Sequence, residues 1–347
     1  METIAQGISP IRAQLLARLA AERSNLLLQF EGQDENSLIT QPVAGEWTAA
    51  LLLAHLAYWE AFAADRLGKL ADGRRADIRP LDGDDTLESR NATMKAQFAH
   101  LSFTEAMAML QKERRGFLLA LGQYADESLV REVRLRPGWR VRPRKWAATP
   151  YRHDAEHATE IACWQKTQPP IDPSIRVIHR ALLRPILALA QQEFLALAAL
   201  LPPEERDDRP LEGDWTLKQM IGHMVDYERL CVVALKALAA GRAPAYETTI
   251  ANFDAFNNSH GPAWAAMSWN EVWAHYLATR RAMVLIVETL PEEALARPFA
   301  APWPATTTAC GLLLDMAQHQ QEHADGLRRA FGLPSLPRRL GRDAYAD

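Results

Sequence analysis

The chain carries one pattern twice, and nothing else in it narrows the possible folds as far. GEWTAALLLAHLAYWE (Gly45–Glu60) lies over GDWTLKQMIGHMVDYE (Gly213–Glu228), with Trp47 on Trp215 and His55 on His223, each 168 residues further along. Later the offset is 166: Asn91 falls on Asn257, Glu105 on Glu271, Arg115 on Arg281, and His153 and His157 on His319 and His323. A drift of two residues is what a loop deletion between helices leaves. A repeat of this period obliges each copy to make the same elements and bury the same faces. The halves are read as domains 1–168 and 174–332, followed by an extension, 333–347, in which Gly and Pro stop the last helix. Between them QKTQPPIDPSI (Gln165–Ile175) holds three prolines and no helical period, as a short stiff linker does.

Each half reads as four helical segments. The first opens with Ser9-Pro10, a capping residue followed by proline at the first helical position. The second helix begins at Thr48 and, in the other half, at Thr216, just after the tryptophan. A third opens near Thr104 and near Trp269, and the last carries a pair of histidines. Alternation of the strand kind occurs only in REVRLRPGWRVRP (Arg131–Pro143), a short hairpin around Pro137-Gly138. The expectation is all-α: two tandem four-helix up-and-down bundles related by internal duplication.

Six of the ten histidines occupy matched positions, whereas His100, His179, His260 and His275 have no counterpart. His55 lies on the apolar stripe of Leu52, Leu56, Trp59 and Ala63, and His223 on that of Met220, Met224, Tyr227 and Cys231. In the last helix, Leu312, Met316, His319, His323 and Leu327 form one line. Residues i and i+4 are roughly 40° apart around a helix, so both rings of a pair reach one point. Three unpaired imidazoles inside a bundle would cost several kcal/mol; a metal satisfies all three. The expected ligands are His55, His153 and His157, then His223, His319 and His323, holding up to two divalent metals per chain. Three histidines without a thiolate leave coordination positions open, as catalytic zinc sites do, and imidazole equally suits nickel and iron.

His-x-x-Glu-His also matches a metalloprotease pattern whose third ligand is a distant glutamate; here an earlier helix already supplies a third histidine. Glu156 and Glu322, inside that motif, are candidate general bases, the plainer reading being helix glutamates that face solvent or support a histidine. Cys163, Cys231 and Cys310 are odd in number and widely spaced, which gives no disulfide framework and fits a reducing cytoplasm. A formal charge of −4 gives no field favouring nucleic acid or an anionic membrane. Arg131–Lys145 has seven basic residues and one acid; it reads as a solvated hairpin face or as a cationic rim beside the first metal site.

A tryptophan before the second helix, a histidine on it and His-x-x-x-His on the last helix, in that order and twice, resemble the DinB family. The relevant residues are Trp47, His55, His153 and His157, then Trp215, His223, His319 and His323. The YfiT-like proteins belong to that superfamily, and YRHDAEHATEI is similar to its ClbS-like members. The resemblance implies a divalent metal on the three histidines and, in several relatives, transfer or isomerisation dependent on a low-molecular-weight thiol. The expected function is thus a metal-dependent thiol transferase or hydrolase acting on a small electrophilic molecule. The alternative is a non-catalytic binding or resistance protein whose metal is structural or absent. Relatives often dimerise, so a pseudo-dimeric monomer or a homodimer is expected. Pro150, three residues before His153, departs from the second half: the last helix of the first half should start late, capped by Thr149, or kink there.

Overall fold

The computed structural model describes residues 8–168 and 176–338. Most of the proline linker, from 169, and the extension beyond 338 lie outside them. The first half comprises α1 (Pro10–Leu28), α2 (Glu35–Thr40), α3 (Ala49–Ala71), α4 (Leu87–Phe98), α5 (Phe103–Gly122), α6 (Asp126–Val130), α7 (Pro143–Ala147) and α8 (Thr149–Gln165). The second comprises α9 (Arg180–Ala198), α10 (Leu217–Ala239), α11 (Phe253–Ala266), α12 (Trp269–Thr289), α13 (Glu292–Leu295) and α14 (Ala309–Ala330). The fold is all-α and duplicated. In the second half α10 packs on α12 and α14, and α9 on α14 and α12, closing a four-helix bundle. In the first, α3 packs on α5 and α8.

Beyond the four expected segments per half and several helices of four to six residues, α4 and its counterpart α11 lie against α3 and α10. Two compact units result, one of Asn25–Gln168 and one joining residues 8–24 to 176–338, so the division falls inside α1. The N-terminal part of α1, expected with the first half, therefore belongs to the unit of the second. Ala17 lies in that unit's core with Phe194, Leu217, Met224, Trp264 and Tyr276.

The helix starts follow from the sequence. Thr48 Oγ1 accepts the Leu51 amide at 3.3 Å, and Thr216 forms a reciprocal box with Gln219. The repeated Glu105 and Glu271 are the third residues of two further boxes, each carboxylate accepting the backbone N–H of Ser102 or Ser268 at 2.9 Å. Ahead of α3 and α10 stand two tiny hairpins, β1 (Pro42–Ala44) with β2 (Trp47–Thr48) and, after β3 (Val133–Arg136) with β4 (Trp139–Val141), β5 (Pro210–Glu212) with β6 (Trp215–Thr216). Gly45 and Gly213 turn them at φ +53° and +58°, a conformation that side chains resist. Of these only β3–β4 shows in the sequence, because strands of two or three residues cannot display alternation. A last pair, β7 (Phe299–Ala300) with β8 (Thr306–Thr307), precedes α14.

Pro150 acts as expected in one respect and not in another. The segment matching α14 is broken into α7 and α8, because proline has no N–H to donate to the carbonyl four residues back. Ala148 rather than Thr149 is the capping residue, and the Thr149 hydroxyl donates instead to the Lys145 carbonyl at 3.2 Å. α9 has the length and mean hydropathy, 19 residues and 1.2, of a membrane span. It packs as a core helix, with Leu182, Leu183, Ile186, Phe194 and Leu197 buried.

Candidate metal centre

The duplicated helices bring each histidine set together. His55 on α3 and His153 and His157 on α8 place Nε2 atoms 2.9 Å (His55–His153) and 3.0 Å (His153–His157) apart. His223 on α10 and His319 and His323 on α14 repeat this at 2.8 and 3.1 Å. Each trio presents ligand atoms within 4.8 Å of one another. The break at Pro150 does not displace His153, since α8 has completed a turn before reaching it. The repeated tryptophans pack on the trios: ring centroids are 4.8 Å apart for Trp47 and His55 and 4.7 Å for Trp215 and His223.

Burial, and then the charge of neighbouring rings, lowers His55 and His223 to about 3. His319 is pushed well below its ordinary range for the same reasons. These rings are neutral at physiological pH, the state a ligand needs. The other ring nitrogens decide which way the lone pairs point. His157 Nδ1 lies 2.7 Å from Glu160 Oε2, and His323 Nδ1 lies 2.8 Å from Glu212 Oε2. A carboxylate only accepts, so each Nδ1 carries a proton and each Nε2 is turned towards the other rings of its trio. Lone pairs facing one another at this separation are unfavourable without a cation between them. Three imidazoles, one in each trio oriented by a carboxylate, fit a divalent metal.

All three rings of the first trio line a cavity of about 470 Å³, and His319 of the second trio lines one of about 400 Å³. Their walls are built from matched positions. Leu87 corresponds to Phe253, Thr149 to Asp315, Arg152 to Gln318 and Glu156 to Glu322. Leu87 and Phe253 are among the few large apolar side chains left exposed. Trp59 Nε1 donates to Asn91 Oδ1 at 2.9 Å, and Tyr227 donates to Asn257 Oδ1 at the same distance. The repeated asparagines thus fasten α4 and α11 beside the centres. Trp303 and Pro304, from the β7–β8 connection, complete the second cavity.

Glu156 and Glu322, the candidate bases, are exposed on these walls, and Glu322 accepts from Gln318 at 3.1 Å. The carboxylates that touch histidine are Glu160 and Glu212, which the sequence did not single out. Arg115 and Arg281 are exposed; the arginines that matter are their neighbours. Arg114 pairs with Glu60 and, at 3.1 Å, with Asp154, all within the first core. Arg280 pairs with buried Glu228 at 3.1 Å in the second, where burial pushes the Glu228 carboxyl up to about 7. Arg131 and Arg134 of the basic hairpin line a different cavity, with Arg75 and Tyr124, not the one beside the first trio.

A model of the DinB superfamily matches residues 18–161 and again residues 186–325. No curated protein and no solved structure matches the chain.

Proposed function

The chain belongs to the DinB superfamily, and from that premise we propose that it is a divalent-metal-dependent enzyme with up to two metals per chain. It transfers a low-molecular-weight thiol to a small electrophilic molecule, or hydrolyses such a molecule. The observation that carries this reading is the convergence of three imidazoles in each half, with all three on the wall of a cavity sized for a small ligand in the first half and His319 on the wall of its counterpart in the second. A divalent metal bound there supplies Lewis acidity, which makes a thiol or water nucleophilic near neutral pH.

The remaining work falls to the chain itself. Exposed apolar Leu87 and Phe253, with Trp59 and Tyr227, give the substrate an apolar wall. Glu156 and Glu322 stand on the same walls in reach of solvent, as a proton acceptor must. Arg152 gives the first cavity a cation where the second has neutral Gln318, so an anionic thiol is drawn to the first.

The test is thiol consumption by the metal-loaded chain against a panel of small electrophiles, with hydrolysis followed in parallel. We expect turnover that His157→Ala and His323→Ala together abolish while the helical signal persists. Tight stoichiometric binding without turnover would overturn catalysis in favour of sequestration. Unchanged turnover in the metal-free double variant would overturn the metal's part in it.

A further inference from the structure

Each centre has a carboxylate at a histidine Nδ1, but the two halves take it from different elements. In the first, Glu160 follows His157 by three residues on α8. In the second, the matching residue is Gly326, and the carboxylate comes from Glu212 at the end of β5. The counterpart of Glu212 in the first half is Ala44. One pair of positions therefore carries Ala44 with Glu160 in one half and Glu212 with Gly326 in the other. The glycine is needed for this: a Cβ on Gly326 would meet the Glu212 carboxylate at 2.8–3.0 Å. An isolated surface glutamate beside a histidine would mean little. Here the loss of one carboxylate coincides with the gain of another on the same Nδ1, and with the space to admit it.

We propose that Glu160 and Glu212 are equivalent positioning residues, each fixing its histidine with Nδ1 protonated and Nε2 turned to the metal, and that Gly326 is the opening through which Glu212 acts. The metal itself rests on the reading above; the positioning does not. Glu212 also receives Arg329 at 3.3 Å, so the second histidine is steered from the hairpin and the first from its own helix.

The experiment uses the full chain carrying His157→Ala, which silences the first centre, and zinc as the probe in a competition titration. Glu212→Ala should weaken zinc binding by about 10–100-fold. Glu212→Gln, whose amide oxygen still accepts from Nδ1–H, should keep most of the affinity. Gly326→Ala, which pushes the Glu212 carboxylate aside, should weaken binding although every ligand is present. Glu212→Ala with Gly326→Glu, which copies the first half, should restore it. Equal zinc affinity in Glu212→Ala and its parent, with fold retained, would overturn the proposal. The tautomer of His323 in metal-free protein, read from ¹H–¹⁵N couplings, separates the two readings. If the parent binds no zinc the metal reading fails, yet loss of the Nδ1–H form in Glu212→Ala and its return in the double variant would still establish the positioning. An unchanged tautomer would overturn it.

Discussion

A methyl group on Gly222 would lie 2.2 Å from Cγ of Trp264, so the indole occupies the space a side chain on α10 would fill. Trp264 is buried there and donates to Asp226 at 2.6 Å. The first half has Ala54 and Phe98 at these positions, a larger residue on the one helix and a smaller ring on the other. Gly222→Ala should therefore destabilise the protein by about 1–3 kcal/mol despite its better helix propensity. Gly222→Ala with Trp264→Phe should recover much of that. Urea unfolding of the three proteins measures it; a neutral single variant would contradict the packing described.

Metal content should divide by halves. Elemental analysis of the loaded protein is expected to give up to two equivalents, with His157→Ala and His323→Ala each losing about one. Loss of both metals from either single variant would show that the centres depend on one another. A loaded wild type without metal would refute the centres altogether.

Half-buried Arg114 and buried Arg280 should not be equally costly to remove. Arg114→Met leaves Glu60 and Asp154 together in the core, both nearly inaccessible to solvent. Breaking such a cluster costs about 3–5 kcal/mol. Arg280→Met leaves only Glu228, already pushed up to about 7 by burial, which escapes by taking a proton. The Arg280 variant should be the milder one, and its deficit should be smaller at pH 6 than at pH 8. Denaturation at the two pH values gives the comparison.

Acid should weaken the metal-free protein through its histidines. His55 and His223 titrate near 6.5 in an unfolded chain but are held neutral to about 3 in the folded one. Between these values the unfolded state binds more protons, so their contribution is intact above about 6.5 and is lost as pH falls toward 3. Glu228 acts in the opposite sense, its raised carboxyl contributing below its ordinary 4.5 and losing that contribution as pH rises through about 7. His55→Gln with His223→Gln isolates the histidine part. The double variant should show a shallower loss of stability between pH 7 and pH 5 than the wild type.

What could be read from the sequence was whatever repeats at a fixed offset. Both trios, the Thr48 and Thr216 caps and the late start of α8 follow from identity at matched positions or from a single proline. The orienting carboxylates escaped because comparing matched positions sets Glu160 against Gly326 and counts a mismatch, although the atom at the imidazole is conserved between halves. Arg115 and Arg281 matched as well as Arg114 and Arg280 did, and only the phase of α5 and α12 tells which of two adjacent arginines faces the core. α4 and α11 show no apolar stripe in the sequence because little of either is buried, Met94 in one and Trp264 in the other.

The place where the chain divides has a consequence for how such a molecule can be inherited. Residues 8–24 belong to the unit of the second half, where Ala17 sits in the core and Ser24 receives the Gln321 amide at 2.9 Å. A gene split at the linker would give a second product born without that helix segment, with Gln321 and the core surface that Ala17 covers laid open to water. A break at the linker therefore does not part the chain into its two compact units, and a fragment carrying the whole second unit would have to include residues 8–24.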